Sequence, residues 1–367
     1  MRRHLFALLL PFLLMACSSD DSVGAEKSGE EQCVITYKVT AGNAQTRAEA
    51  ITSSNFAIDN RQFRIWAWMT DETGTYHMTS DFNKNALYGI DVTCQSGVWS
   101  TNPTWGQFYW PRFKYRLDCC AVYPPDEAST THFAPTNKTF DFTTSNAVTG
   151  NTDIMYATFS GQRESRNLGE TSRAVELSFN HIFSQVQFKA SKASELSVTI
   201  TSLEICNVYT EGTFSIGVIG TDVPSWGSTA TGLGSYSLPL KSESVALTGE
   251  AQSLNAADGM LMLIPQTRTK WNTSQTIAVN DGGSGAKGSY LKIGCSIQMA
   301  GSEYNDNGYI YFPIDISWEM GKNYTYTLGF GTGYKANGEK SLTDITLSAT
   351  VTDWVAGGSE SKSDIVI

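Results

Sequence analysis

The residue with the most sharply specified chemistry is Cys17. It follows Leu14-Met15-Ala16, behind a basic start at Arg2 and Arg3 and an apolar run from Leu5 to Met15. A basic start, an apolar centre and a small residue before the cut are the parts of a secretory signal. The apolar run is about half the length a bilayer-spanning helix requires. A cysteine placed directly after such a signal is set up for acylation of its thiol, removal of residues 1–16, and acylation of the new amino terminus. Each buried methylene of a palmitate-class chain contributes roughly 0.8 kcal/mol, so several chains on one residue make a lasting membrane anchor. Export and attachment to a membrane as a lipoprotein held through Cys17 is the expectation.

Other reactive residue types are present without the spacing that chemistry requires. After processing the histidines are His77, His132 and His181, too scattered for a ligand cluster, and no HExxH occurs. Gly282-Gly283-Ser284-Gly285-Ala286 misses the nucleophile elbow at its last position, and Gly329-Phe330-Gly331-Thr332-Gly333 lacks the spacing of a dinucleotide loop. Asn305-Asp306-Asn307-Gly308 does not alternate as a calcium loop does, and Asn307-Gly308 reads as a hairpin turn. Cys33, Cys94, Cys119, Cys120, Cys206 and Cys295 have no metal-ligand spacing. They read as small buried hydrophobes, with one disulfide permitted by export, and adjacent Cys119 and Cys120 would face opposite sides of a strand. No catalytic residue, cofactor site or metal site is assigned, and the expectation is that the chain is not an enzyme.

Two further groups invite a functional reading. Arg47 is the one basic residue of the small, polar segment Ala41–Ala50, an accessible site for a trypsin-like protease or else an ordinary loop arginine. Trp99, Trp105, Tyr109 and Trp110 lie in the densest aromatic stretch of the chain. Exposed, they would form a platform for sugar rings; buried, they would be core packing.

Strands must position all of these residues. Without the signal the chain keeps 24 basic and 36 acidic residues, a net charge of −12, with no basic patch, which excludes nucleic acid as a partner. The clearest periodicity runs from Arg173 to Val208. Val175, Leu177 and Phe179 share one face and Val186, Phe188 and Ala190 another, with a bend between Phe179 and Ile182. Val198–Thr201 opens a further strand whose apolar side turns over at Leu203 and Ile205. Phe63–Met69 is apolar on both faces, and Ile345, Leu347, Ala349 and Val351 form the last long strand. Frequent turns and the lack of an amphipathic helix predict an all-β chain of two tandem antiparallel β-sandwich domains after a signal peptide and leader strand. The expected boundaries are 17–47 for tether and leader, with Cys33, Ile35, Tyr37 and Val39 alternating in the leader strand; 48–166 for the first domain; 172–356 for the second; and 357–367 for a tail.

FNHIFSQVQFKA at Phe179–Ala190, followed by VTITSLEI and a glycine turn at Gly212, resembles the central signature of the fimbrillin family, pilin-like lipoproteins of Bacteroidetes. YWP at Tyr109–Pro111, CCAVYPP at Cys119–Pro125, DIMYA at Asp153–Ala157, LMLIPQT at Leu261–Thr267, WEMGKNYTYTLGF at Trp318–Phe330 and a final strand ending at Trp354 support it in order along the chain. The resemblance implies transthyretin-like sandwiches and a structural role in type V fimbriae. It further implies a cut after Arg47 that makes Ala48 the mature amino terminus, and polymerisation by strand exchange with other fimbrial subunits. Ser18-Ser19-Asp20-Asp21 is similar to the acidic tag that sends such lipoproteins to the cell surface. Adhesion to host or bacterial surface glycans or proteins is implied by the family, not by a motif. An uncut chain would remain as a lipid-held anchor or accessory subunit, and a surface glycan-binding lipoprotein is the reading from a different class.

Overall fold

A computed structural model describes residues 33–41, 44–46, 49–51, 56–71, 76–78, 87–111, 115–125, 133–134, 138–143, 153–162, 170–227, 231–257, 259–299, 302–331, 333–334, 340–341, 345–353 and 365–366. Nearly all of the regular structure is β, as the alternation predicts, and it forms three large sheets.

The first sheet holds β1 (Val34–Ala41), β4 (Gln62–Thr70), β5 (Tyr76–Met78), β6 (Tyr88–Gln95), β7 (Val98–Thr101), β8 (Arg116–Tyr123), β11 (Met155–Gln162) and β12 (Ser172–His181). Its order is β1-β12-β11-β8-β4-β6-β7, with β5 on β4. The sheet curls until its two ends, β1 and β7, lie side by side. Phe63, Ile65, Ala67, Val92, Trp99, Leu117, Cys119, Val175, Leu177 and Phe179 fill the interior of the curl. The turn from β6 to β7 uses Ser96 and Gly97, both at positive φ (52° and 78°), the backbone a tight two-residue hairpin needs.

The second sheet holds β9 (Phe133–Ala134), β10 (Thr139–Thr143), β14 (Leu196–Ser215), β15 (Ser225–Trp226), β16 (Thr231–Ser237), β17 (Val245–Ala246), β21 (Tyr290–Met299) and β22 (Ser302–Pro313). The third holds β13 (Ser184–Lys192), β18 (Gln252–Ser253), β19 (Leu261–Leu263), β24 (Lys322–Phe330), β27 (Ile345–Asp353) and β28 (Ile365–Val366). These two sheets enclose a separate core of Val186, Phe188, Ile200, Leu203, Ile205, Ile293, Tyr326, Leu328 and Leu347, among others. Short pairs complete the chain: β2 (Ala44–Thr46) with β3 (Glu49–Ile51), β20 (Thr267–Arg268) with β23 (Ile316–Ser317), and β25 (Gly333–Tyr334) with β26 (Lys340–Ser341). A short helix, Ile277–Gly282, is capped by the Thr276 side chain.

The bend after Phe179 passes the chain from one lobe to the other. β12 packs in the first core and β13 in the second, with Ile182 and Phe183 between them. Those two residues join a third apolar cluster, in which Trp66, Trp68, Cys120, Val122 and Tyr156 from the outer face of the first sheet meet Phe214, Ile216, Met262 and Ile264. Strand β4 is therefore apolar on both faces because both are covered. Cys119 and Cys120 enter different clusters for the same reason, the period of two along a strand. In β14 the register slips between Ile200 and Ser202, which puts Leu203 and Ile205 back on the core side. All six described cysteines are buried, and none of them is in a disulfide.

Several sequence expectations need correction. Ser172–His181, assigned to the second domain, is a strand of the first sheet. β9 and β10, expected in the first domain, extend the second sheet along β14. Gly212 makes no turn but sits within β14, where a Cβ would meet the Trp226 ring at 3.3 Å. Asn307-Gly308 lies inside β22, beside a register shift against β21, and is not a hairpin turn.

Candidate functional site

The first strand, predicted as a leader standing apart from the rest, is built into the first lobe. β1 runs parallel to β12 over eight paired residues, from Val34↔Ser172 to Ala41↔Phe179. At its start it is also held from the other side. Ile35 N–H donates to Phe108 O and Trp110 N–H to Cys33 O, each 2.8 Å, while on the β12 side Val34 N–H donates to Thr171 O at 2.8 Å. β1, one end of the curled sheet, is thus joined both to β12 and to the segment around Phe108 and Trp110 that follows β7.

Alternation explains how β1 fits. Cys33, Ile35 and Ala41 are buried in the first core, with Tyr37 and Val39 packed against it. Thr36, Lys38 and Thr40 face water; Lys38 pairs with Glu176 at 3.1 Å and Thr40 with Ser178 at 3.0 Å. Both partners of the ion pair are about two-thirds exposed, so it guides register more than it stabilises. The Tyr37 ring meets Phe63 edge-on at 6.3 Å, and its hydroxyl is buried with no hydrogen-bond partner. Burial among apolar groups, with Cys119 nearby, pushes that hydroxyl's pKa far above the ordinary phenol value.

On its other side β12 is poorly supported. Its described ladder to β11 has two pairs, Met155↔His181 and Tyr156↔Asn180, both at its far end. Among the described residues, most of the strand pairing of β12 is therefore with β1.

The predicted site residues are distributed as follows. Cys17 lies outside the described residues, as do Arg47 and Ala48; their flanking strands pair in the register Thr46↔Glu49, Gln45↔Ala50 and Ala44↔Ile51. Trp99 and Trp110, each 5% exposed, are core residues of the first lobe. Trp110 donates its indole N–H to Arg173 O at 2.9 Å and lies under the Arg173 guanidinium at 5.1 Å. Tyr109 is partly buried and forms the bridge to Val34. Trp105, at 56% exposure in a single 3-10 turn, is the one of the four that faces solvent fully. The four do not share an exposed face, and the burial of Trp99 and Trp110 follows from their place in the wall against which β1 packs.

Sequence reasoning did not single out the buried pair at the lobe junction. His181 Nδ1 lies 3.0 Å from Asp153 Oδ1, with side chains 2% and 1% exposed, and Asp153 Oδ2 has no partner. Burial raises the Asp153 carboxyl above the usual carboxylate range, against the opposing pull of His181. The penalty for the charged form is absent below the unfolded carboxylate pKa and complete above the raised folded one, so this group costs stability as pH rises. Asp153→Asn keeps an acceptor for His181 and removes the charge. Urea unfolding between about pH 3 and pH 7 is expected to show the variant gaining on the parent as pH increases; a variant that loses ground with rising pH contradicts this.

Among the described residues no cluster of His, Cys, Asp or Glu is arranged to hold a metal ion, and no helix is long and apolar enough to cross a membrane. A family model described as fimbrillin-like matches residues 46–354. Among solved structures, a fimbrial protein from Bacteroides vulgatus ATCC 8482 is 16% identical with a TM-score of 0.53, over 87% of this chain and 99% of that one. A candidate cell adhesion protein from Bacteroides uniformis ATCC 8492 is 14% identical with a TM-score of 0.47, over 90% and 100%. The first of these is a likeness of fold. No curated protein matches the chain.

Proposed function

The chain belongs to the fimbrillin-like family, and from that premise we propose that it is a structural subunit of a cell-surface fimbrium. In this reading it is exported as a lipoprotein acylated on Cys17, delivered to the outer membrane, cut after Arg47 and joined to other subunits by strand exchange. Adhesion to host or bacterial surfaces is then a property of the polymer, and the chain performs no catalysis.

The observation that carries the reading is the position of β1. It lies on the amino-terminal side of Arg47, yet it closes the seam of the first lobe and is the main partner of β12. Cutting after Arg47 breaks the covalent link between this strand and the lobe it completes. Once the strand leaves, β12 presents an unpaired edge beside an apolar interior, a template for an incoming strand. The other end of the chain supports a division of roles. β27 is paired with β24 through nine residues, and Leu347 and Ala349 are buried in the second core, so β27 is committed to its own lobe. Two residues of the tail, β28, add to its outer edge.

The test is the amino terminus and intact mass of the protein taken from the cell surface. Ala48 as first residue, in high-molecular-weight material that resists mild denaturation, is the expected result. Acylated Cys17 on every molecule, with no polymer, would overturn the fimbrial-stalk reading and leave a lipid-held anchor.

A further inference from the structure

β1 is an imperfect occupant of its own seam. Its inward side chains follow the order small, aliphatic, aromatic, aliphatic, small: Cys33, Ile35, Tyr37, Val39 and Ala41. The central position is the one that does not fit. Tyr37 presents a flat ring to Phe63, and around it Trp99 and Phe179 pack on Phe63 at 5.1 and 5.2 Å. That wall is shaped for an aromatic ring. It offers nothing to a hydroxyl: the Tyr37 oxygen is buried without a partner. A buried hydroxyl with no acceptor forfeits its hydrogen bonds to water and gains none in return.

Resting on the reading that β1 is displaced after cleavage, we propose that the seam is an acceptor site for a partner subunit's strand bearing phenylalanine at the Tyr37 position. That strand would have aliphatic residues two places to either side and small residues two places beyond those. It fills the same ring-shaped space without the stranded hydroxyl, so the exchange is driven at one identifiable side chain. The inward face of this chain's own β27, Ile345, Leu347, Ala349 and Val351, has no aromatic residue to offer at a central position. β27 of a second copy is therefore a poor match for the seam.

Two measurements test this, and they separate its failure from failure of the exchange reading. In the first, the uncut chain is unfolded in urea as the parent, Tyr37→Phe and Tyr37→Ala. The folded population of Tyr37→Phe is expected to rise about tenfold and that of Tyr37→Ala to fall. No gain for Tyr37→Phe overturns the proposal, whatever happens after cleavage. In the second, the chain is cut after Arg47 by limited trypsin treatment, and a labelled peptide of residues 33–41 is displaced by competitors. The competitors are its Tyr37→Phe and Tyr37→Ala forms and a peptide of residues 345–367. The phenylalanine peptide is expected to compete about tenfold better than the tyrosine form, and the other two worse. Equal competition by phenylalanine and tyrosine, or strongest competition by residues 345–367, overturns the proposal. A strand that never leaves the cut chain, while Tyr37→Phe still stabilises the uncut one, counts against strand exchange and leaves the shape of the pocket standing.

Discussion

Phe188→Ala is expected to destabilise the second lobe by about 3–5 kcal/mol, the range for truncating a fully buried aromatic in a close-packed core. Phe188 is completely buried, stacks on Tyr326 at 5.4 Å with 23° between the rings, and lies between the second and third sheets. Its backbone is fixed as well. The N–H donates to the buried Asn255 side chain at 2.7 Å, and the strand pairs with β24 from Gln185 to Lys192. With the backbone held on both counts, the lobe cannot close over the space the ring leaves, which places the loss at the upper part of the range. Phe188→Leu refills most of the volume and is expected to recover more than half of it. Urea unfolding followed by intrinsic fluorescence measures both variants. A loss under about 1 kcal/mol for Phe188→Ala would show that the core is not packed as described.

Phe188 also illustrates what the sequence makes legible. The alternation of Val186, Phe188 and Ala190, and its slip relative to Val175, Leu177 and Phe179, is written in side-chain polarity. Strand identity, the bend and the two separate faces can all be read from it. The same holds for the double-sided β4, for the opposed Cys119 and Cys120, and for the slip in β14. Polarity does not say which sheet covers a face. β12 reads equally well as the first strand of the second lobe, and only its pairing with β1, 138 residues away, decides the matter. β9 and β10 join the second sheet through a ladder from Thr139–Thr143 to Glu211–Ser215 of β14 that no local pattern announces. Asn307-Gly308 carries a strong turn signal, but β22 absorbs those residues beside a bulge while the strand as a whole stays paired. Gly212 is read as a turn because glycine permits one, whereas here it makes room for the Trp226 ring.

The candidate site divides in the same way. Cys17 and Arg47 are singled out by local sequence alone, and both lie outside the described residues. Trp99 and Trp110 look like a binding platform because an aromatic cluster has the same composition inside a core as on a surface. The signal that would have separated the two is the leader itself. A strand with five alternating apolar positions requires a wall to pack against, and the aromatic segment 99–110 is part of that wall. The Asp153–His181 pair leaves no trace in sequence spacing, because 28 residues and a strand crossing separate the partners.

Removing β1 should produce the largest effect of all. A chain that begins at Ala48 loses the inward side chains of Cys33, Ile35, Tyr37, Val39 and Ala41 and the eight-residue ladder to β12. At roughly 1.5–3 kcal/mol for each large side chain taken from water, the loss is on the order of 5–10 kcal/mol, comparable with the stability of a whole domain. The second lobe has its own core and should remain folded, so the damage is local. Hydrogen exchange is expected to show β12, and the segment around Phe108 and Trp110, losing protection while β13, β24 and β21 keep theirs. The same chain should associate, since an open edge beside buried aromatics is a surface that strands cover. Adding a peptide of residues 33–41 supplies the missing strand and should restore both protection and the monomer, with the return of monomer following peptide concentration. Size-exclusion chromatography with and without the peptide reads this directly. A truncated chain that stays monomeric and fully protected would mean that β1 only decorates the lobe, and that the first lobe has no seam for another subunit to fill.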